Sequence, residues 1–216
     1  MAAEDKTGKR RYDAARRQAA AAERRLAVLA VARAVFEEQG WAGARVREIA
    51  STAGVSQKLV EALFHTKAAL LEAAVDYAIR GDIDPLPMPQ REAVLEMEAA
   101  PSAEAMLSLH ARHLRLINSR SARIALVVEQ AAAADPAVAK LWRQMNRNRD
   151  YAVTWATDTL LRKPGRRRRL TRDRVATTFW VAIDWNTYRT LTTHAGLDDD
   201  AYEAWIRTYY TATLLP

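Results

Sequence analysis

The sequence contains no cysteine, and only seven glycines and seven prolines occur among its 216 residues. Without cysteine the chain can form no disulfide and offers no thiol nucleophile. Glycine and proline mark turns and interrupt helices, so their scarcity favours a protein built from helices. Half of the residues are hydrophobic, which is enough to form a core at this length. We therefore predict an all-α fold.

Long apolar runs are also absent, because charged residues interrupt every hydrophobic segment. We therefore expect no membrane-spanning segment. The first residues, MAAEDKTGKRRYD, include acids and lack the apolar core of a signal peptide, so we expect a cytoplasmic protein. There is no glycine-rich phosphate loop and no G-x-S-x-G nucleophile motif. We therefore expect no enzyme activity, no catalytic residues and no cofactor.

The stretch Arg45–Lys67, RVREIASTAGVSQKLVEALFHTK, has the pattern of two short helices joined by a tight turn. Ala50 is small enough for a second helix to cross closely over the first. Gly54 follows where the chain must reverse, and glycine adopts positive φ at little cost. Ser56 is a favoured N-cap residue for the second helix. The buried side of that helix is expected to hold Leu59, Val60 and Leu63. This arrangement is typical of a helix-turn-helix, whose second helix enters the DNA major groove.

With its flanks, this region resembles the TetR family of transcriptional regulators over residues 24–80. The family pattern is F-x-x-x-G and an aromatic residue, then V-R-[DE]-I-A-x-x-A-G-V-S, then F-x-[ST]-K-x-x-L. The matching positions here are Phe36, Gly40, Trp41, Val46–Ala50, Ala53–Ser56, Phe64, Thr66, Lys67 and Leu70. Two further stretches, TKAALL at 66–71 and GDIDPLP at 81–87, resemble an actinobacterial-looking subset of the family.

The sequence departs from the family pattern at two places. Arg45 stands where the family usually has threonine. Glu61 and Ala62 stand where the family usually has tyrosine or histidine side chains that contact phosphate. A glutamate cannot bind phosphate, although it could accept a hydrogen bond from a cytosine amine. From the outward positions and the resemblance, we predict DNA contacts by Arg45, Arg47, Ser56, Gln57, Lys58, Glu61, Thr66 and Lys67.

The net charge of +7 is concentrated near the N-terminus, where residues 1–25 hold eight Lys or Arg against four acidic residues. Residues 26–80 hold six of each. The basic residues of the arm could contact DNA phosphates, or the arm could be a solvated tail whose order the composition leaves open. The basic residues considered for phosphate contact are Lys9, Arg10, Arg11, Arg16, Arg17, Arg24 and Arg25.

The remaining chain has the apolar periodicity of further helices after a proline-rich connector, GDIDPLPMPQ. The spacing predicts one helix over 103–118 and a separate one that contains Ile124, Val127, Val128 and Ala131 and ends near Asp135 and Pro136. A long helix begins at Pro136, the favoured first helical position, after the capping residue Asp135. We predict two last long helices, over 175–194 and 199–214.

The resemblance implies that the last two long helices form a homodimer and that the middle helices enclose a small molecule. The aromatic side chains of the last two helices are too many for one core face, which independently favours a contact surface. For the dimer interface we predict Trp185, Tyr188, Tyr202, Trp205 and Tyr209. For the ligand site we predict Met106, Leu109, His110, His113, Val127, Trp142, Met145, Arg149, Trp155, Trp180 and Asp184.

Four of these predicted ligand residues have alternative interpretations. His110 and His113 have a spacing that could bind a metal, but no further histidine lies nearby in the sequence, so we predict no metal site. Arg149 and Asp184 could each hold a polar group of a ligand or form salt bridges at helix ends. A solid core without a pocket is the alternative to the whole cavity.

Together these patterns predict three regions: a basic arm (1–23), a three-helix helix-turn-helix domain (24–68) and a larger helical ligand-binding and dimerisation domain (69–216). The predicted function is a ligand-responsive transcriptional regulator that binds double-stranded DNA as a homodimer. We expect a repressor released from its operator by a small, mostly apolar effector. The alternative is a helical binding or adaptor protein that has lost specific DNA binding.

Overall fold

The computed structural model describes residues 2–216, with side chains described for Arg16 and for residues 18–216. The described residues form helices and turns without a strand, so the predicted all-α fold is confirmed. The helices are α1 (Ala2–Gly43), α2 (Val46–Thr52), α3 (Gln57–Phe64), α4 (Lys67–Arg80), α5 (Glu92–Ala99), α6 (Ala103–Ala131), α7 (Pro136–Leu161), α8 (Arg172–Ile183), α9 (Trp185–Arg189) and α10 (Asp199–Leu214). A 3₁₀ turn at Met88–Gln90 and a π turn at Thr190–His194 complete the described helical elements.

The chain divides into two compact units, Met1–Tyr77 and Ala78–Pro216. In the first unit, Gly40 breaks the long α1 with a φ of 68°. The core of this unit includes Phe36, Ile49, Val60 and Phe64. These residues come from α1, α2 and α3, so the three helices of the predicted DNA-binding domain share one core.

The arm predicted for residues 1–23 has a helical backbone from Ala2 onward. The phosphate contacts considered for Lys9, Arg10, Arg11 and Arg17 depend on side chains that lie outside the described ones. Arg24 and Arg25 are described: the Arg24 Nε donates to the Ala20 carbonyl, and the Arg25 guanidinium lies 4.8 Å from the Phe64 ring centroid.

In the second unit, α6 is one continuous helix of 29 residues, so the prediction of two helices within 103–131 was wrong. The polar side chains between the two predicted helices have hydrogen-bond partners inside the fold. Asn118 donates to the Tyr202 hydroxyl at 2.9 Å, and Ser121 donates to the Ile117 carbonyl at 2.8 Å. The helix can therefore continue through these positions without burying an unpaired polar group.

The predicted helix over 175–194 was also wrong, because the chain breaks at Asp184. Asp184 has an extended backbone (φ −69°, ψ 126°), and its Oδ1 accepts a hydrogen bond from the Asn186 amide at 3.0 Å. It is therefore the N-cap of α9. The core of this unit lies between α6, α7, α8 and α10 and buries Met106, Phe179, Tyr202 and Tyr210.

Candidate nucleic-acid interface and regulatory core

The turn between α2 and α3 has the geometry that its sequence predicts. Gly54 has a φ of 68°, and the Val55 amide donates to the Ala50 carbonyl at 3.0 Å. The Ser56 Oγ accepts a hydrogen bond from the Leu59 amide at 3.2 Å and caps α3. Ala50 is buried, and its side chain is small enough to allow close packing of the chain that follows α2. The motif is therefore held by local hydrogen bonds as well as by its core.

The first turns of α3 present a row of exposed side chains. Gln57, Lys58, Glu61 and Ala62 are all exposed, whereas Val60 and Phe64 are buried and Leu59 and Leu63 are partly buried. The Gln57 Nε2 donates to the Glu61 Oε1 at 2.7 Å, so these two side chains form one polar unit one helical turn apart. Sequence reasoning identified the exposed face but not this pairing.

Other predicted DNA-contacting residues lie near helix N-termini in the same unit. Arg45 is the N-cap residue of α2 and Arg47 lies in its first turn, and both are exposed. The Thr66 Oγ1 accepts a hydrogen bond from the Ala69 amide at 3.0 Å. The Lys67 ammonium donates to the Trp41 carbonyl and lies 4.5 Å from the centroid of that indole. Lys67 is thus held by Trp41 within its own unit.

In the second unit, several predicted ligand residues are packed in the core. Met106 is fully buried, with Leu109, Trp155 and Trp180 packed against the same cluster. His110 is also buried, and its Nδ1 lies 2.7 Å from the Tyr210 hydroxyl. The remaining buried members of the predicted ligand set are Val127 and Met145.

Burial also determines the protonation of the two histidines on α6. Desolvation lowers the pKa of His110 to about 3, with a smaller contribution from the positive charge of His113. Desolvation lowers the pKa of His113 to about 4, with a smaller contribution from Arg120. Both side chains are therefore neutral at physiological pH. Within the described residues, no group of three potential metal ligands is found.

The other predicted ligand residues belong to separate local clusters. Arg149 pairs with Asp184 (Nη1 to Oδ1, 3.2 Å), and its guanidinium lies 4.1 Å from the Trp180 ring centroid. The Trp155 Nε1 donates to the Glu98 Oε1 at 2.7 Å. Trp142 lies against Trp185 with the ring centroids 6.4 Å apart. The predicted set therefore does not converge on one site.

The residues predicted for the dimer interface differ in their burial and in their contacts. Tyr202 is fully buried within its own unit and has no exposed surface for a partner to contact. Its assignment to the dimer interface was therefore wrong. Tyr188 donates to the Asp199 Oδ1 at 2.6 Å and packs edge-on against Tyr202. Trp205 and Tyr209 are partly buried and stack with their centroids 5.3 Å apart.

A further surface on α10 was missed by sequence reasoning. Five residues spaced along one side of the helix are exposed, small and uncharged, and Trp205 and Tyr209 border them. They are Ala201, Ala204, Thr208, Thr211 and Ala212. On α8, Thr177 and Val181 are also exposed, and Val181 is 40% exposed. The absence of charge at these helical spacings was the signal available in the sequence, because interface cores are depleted in charged residues.

The family model for "Bacterial regulatory proteins, tetR family" matches residues 28–74. No curated protein matches the sequence. Among the described residues, no helix has both the length and the hydrophobicity needed to cross a membrane.

Several solved structures have a similar fold. One is described as a TetR-family transcriptional regulator from Rhodococcus sp. (TM-score 0.63, 18% identity, covering 88% of this chain and 98% of that one). A second is a transcriptional regulator from Saccharomonospora viridis in complex with choline (TM-score 0.65, 18% identity, covering 90% and 98%). A third is a transcriptional regulator from Pseudomonas aeruginosa PAO1 (TM-score 0.62, 15% identity, covering 88% and 89%).

Proposed function

The chain belongs to the TetR family of bacterial regulatory proteins through its residues 28–74, and on this basis we propose that it is a DNA-binding transcriptional regulator. The observation that carries this proposal is the exposed N-terminal part of α3, which begins at the Ser56 cap and presents Gln57 and Lys58 to solvent. These are the positions from which the second helix of a helix-turn-helix contacts base edges. Such a protein acts at the chromosome, and hence in the bacterial cytoplasm.

The predicted DNA-contacting side chains fall into groups with different roles in this proposal. Gln57 and Lys58 contact bases in the major groove, and Glu61 orients Gln57 through their 2.7 Å hydrogen bond. Arg45 and Arg47 contact phosphates beside the groove. Ser56, Thr66 and Lys67 complete the set at the N-termini of α3 and α4, where backbone amides favour an anionic phosphate.

We further propose that the protein acts as a homodimer. The exposed, uncharged face of α10 and the exposed Thr177 and Val181 of α8 supply the surface, with Trp205 and Tyr209 at its edge. A second copy of the chain is the occupant, because a two-fold dimer presents two α3 helices to successive half-sites. Such half-sites lie about 34–36 Å apart on DNA.

In this proposal the regulator is a repressor, and a small, mostly apolar effector bound to the second unit releases it from its operator. An effector can act only by binding the DNA-free conformation more tightly than the DNA-bound one. A coupling free energy of about 1–3 kcal/mol is typical of such systems. The S. viridis relative, described in complex with choline, supports the presence of a small-molecule site in a chain of this fold.

A second candidate function is a helical adaptor that has lost specific DNA binding. The observation that favours it is the exposed pair Glu61 and Ala62, which replaces the phosphate-contacting side chains usual in the family. A carboxylate at this place repels phosphate and offers no phosphate contact in return. The two functions differ in one measurable property, which is salt-dependent affinity for duplex DNA.

The test is to select duplex DNA from a random pool with the full chain and to measure affinity for the selected sequence across a salt series. We expect a preferred, two-fold symmetric sequence and an affinity that falls steeply as salt increases. Lys58→Ala should cost about 1–3 kcal/mol of binding free energy and relax the preference at one position of each half-site. Lys140→Ala, an exposed lysine on α7, is the matched control and should bind normally. Absence of any selected sequence would favour the adaptor.

A further inference from the structure

The chain between the end of α7 and the start of α8 carries a local concentration of positive charge. This arginine loop, residues 162–174 with the sequence RKPGRRRRLTRDR, holds eight Lys or Arg against one Asp. By contrast, residues 81–161 and 175–216 together hold eleven Lys or Arg against fifteen Asp or Glu. The positive charge therefore belongs to one loop, and the chain on both sides of it is on balance acidic.

Two cations of the arginine loop anchor its backbone to the ends of other helices. The Arg167 guanidinium donates from Nε to the Leu215 carbonyl at 2.8 Å and from Nη2 to the Ala212 carbonyl at 3.0 Å, at the end of α10. The Lys163 ammonium donates to the Ala100 carbonyl, directly after α5, at 2.6 Å. A carbonyl acceptor is uncharged, so these contacts fix the loop without neutralising its positive charge.

Four further arginines of the loop are exposed, and none of the four forms a salt bridge with a described residue. They are Arg166, Arg168, Arg169 and Arg174. Arg172 is also exposed, but it pairs with the Asp158 carboxylate. The loop therefore presents several guanidinium groups to solvent from an anchored backbone, and their N–H donors are available to an anionic partner.

The backbone of Arg169 also favours a role for these charges. Its φ of 60° lies in the left-handed region, which is unfavourable for a residue with a Cβ. Glycine would adopt this conformation without strain, and the sequence has arginine there. Backbone strain of this kind is concentrated at positions where the side chain serves a function. The exposed charge of Arg169 is therefore kept at a position that disfavours it locally.

The other side chains of the arginine loop indicate the kind of anionic partner. Leu170 is the only large apolar residue of the loop, and it is partly buried against the core of the second unit. Protein interfaces obtain most of their binding energy from buried aromatic or apolar anchors, and membrane-surface helices insert such anchors between lipids. The loop exposes no such anchor. Duplex DNA needs none, because its closely spaced phosphates bind exposed cations through charge, and guanidinium groups form paired hydrogen bonds with phosphate.

We propose that the arginine loop is a second DNA-binding surface, which contacts the phosphates of duplex DNA without regard to base sequence. Residues 26–80, which include the helix-turn-helix, hold equal numbers of basic and acidic residues, so this region provides no net attraction for DNA. The arginine loop supplies that attraction. It raises the affinity for every duplex alike, whereas the preference for one sequence is set by α3. The surface therefore goes beyond the proposed function and does not depend on it.

The first experiment measures binding of the full chain to a duplex of unrelated sequence by fluorescence anisotropy across a salt series. The loop variant combines Arg166→Gln, Arg168→Gln and Arg169→Gln, which remove three exposed charges. Each lost phosphate contact lowers the slope of log affinity against log salt by about 0.9, so the loop variant should lose about 2 to 3 of this slope per chain. Its melting transition should match that of the wild type, because the three side chains are exposed and form no salt bridge among the described residues.

The matched control removes the same charge elsewhere in the second unit. It combines Lys140→Gln, Arg143→Gln and Arg147→Gln, at three exposed positions of α7. The control variant should keep the wild-type salt slope, since the proposal assigns the phosphate contacts to the loop and not to the net charge of the chain. An unchanged slope in the loop variant, or an equal loss in the control variant, would overturn the proposal.

The second experiment separates this surface from α3 by comparing the selected DNA sequence with the unrelated duplex. The loop variant should bind both duplexes more weakly by the same factor, so the ratio of the two affinities should stay constant. Lys58→Ala should lower that ratio, because it removes a base contact. Wild-type affinity of the loop variant for both duplexes would overturn the loop assignment and leave the proposed function standing. If no sequence is selected, but the loop variant still loses salt-dependent binding to the unrelated duplex, the proposed function fails and the loop assignment stands.

An anionic lipid surface is the competing partner, and it is tested by sedimentation with vesicles of phosphatidylglycerol and phosphatidylcholine in equal parts. At a salt concentration of about 150 mM, where unpaired surface charges are strongly screened, we expect the wild type and the loop variant to sediment with the vesicles to the same small extent. Vesicle binding that is lost in the loop variant, together with unchanged DNA binding by that variant, would identify a membrane as the partner and overturn the proposal.

Discussion

The side chains of Gln57 and Glu61 are joined by a hydrogen bond of 2.7 Å from the Gln57 Nε2 to the Glu61 Oε1. The bond ties the first residue of α3 to a carboxylate one turn later, on the exposed face of the helix. One N–H and the carbonyl oxygen of the Gln57 amide remain available to a base. A glutamine held in this way can still make the paired contact with adenine.

We therefore predict two opposite effects for Glu61→Ala. Loss of the carboxylate removes its repulsion of phosphate and should strengthen overall DNA binding by about 0.5–1 kcal/mol. Loss of the hydrogen bond releases Gln57 and should weaken the preference for one base pair in each half-site. The measurement is fluorescence anisotropy with the selected DNA and its single-base variants. Glu92→Ala makes the same charge change on the exposed surface of α5 and should alter neither property. Unchanged base preference in Glu61→Ala would show that Glu61 does not orient Gln57.

The exposed face of α10 predicts how the dimer can be broken. Thr208→Glu introduces a charge at the centre of the uncharged face, where a second copy would bury it without a partner, and the substitution should yield monomers. Because Thr208 is exposed in the single chain, the substitution should leave the fold of each chain intact. The measurement is the mass by light scattering at micromolar concentration. Thr154→Glu, at an exposed threonine of α7, is the control and should stay dimeric. A monomeric wild-type protein would end the dimer proposal.

A third prediction follows from the lowered pKa of His110. The folded pKa of about 3 lies below the ordinary value of 6.5, so the unfolded chain binds a proton that the folded chain does not. The contribution of neutral His110 to stability is present above pH 6.5 and is lost as the pH falls from 6.5 towards 3. Between about pH 7 and about pH 5 this amounts to about 2 kcal/mol of unfolding free energy.

The substitution His110→Asn isolates this effect, because the asparagine amide places a polar atom where Nδ1 meets the Tyr210 hydroxyl but does not titrate. Urea unfolding at the two pH values should show that the variant loses less stability on acidification than the wild type. His194→Asn makes the same change at an exposed histidine and is the matched control. Equal acid sensitivity in His110→Asn and wild type would contradict the prediction.

The backbone of Gly54 gives a fourth prediction. Its φ of 68° is unfavourable for residues with a Cβ, although no atom lies within 4 Å of the position that a Cβ would take. Gly54→Ala should therefore destabilise the first unit through backbone strain alone, by about 1–2 kcal/mol. Gly54→Asn should cost less, since asparagine adopts this conformation more readily. The measurement is the unfolding free energy of both variants, and an alanine variant as stable as the wild type would contradict the explanation.

The first unit could be predicted from the sequence because the contacts that form its turn are local. Gly54 supplies the positive φ, and Ser56 caps a helix that begins at the next residue. Every one of these requirements is met within a few residues of chain. The exposed position of Lys58 followed from the same short-range periodicity.

The second unit was harder to predict because its polar residues are satisfied by distant partners. The apolar spacing predicted that a helix ends at Asn118, but the Tyr202 hydroxyl, 84 residues later, accepts a hydrogen bond from Asn118 and α6 continues. The same contact places Tyr202 in the core and not on the surface. The break at Asp184 could have been found, since aspartate is a favoured N-cap, but its ion pair with Arg149 depends on the fold.

The contact between Lys67 and Trp41 has an optical consequence. Trp41 is one of six tryptophans, and the other five lie in the second unit, so it is the sole indole of the unit that carries the helix-turn-helix. The ammonium 4.5 Å from its ring centroid places a positive charge over the chromophore, where it perturbs the emission energy of the indole. A phosphate that drew Lys67 towards itself would change that local field. In a chain whose other five tryptophans are replaced by phenylalanine, the emission wavelength of Trp41 would then signal DNA occupancy without any attached dye.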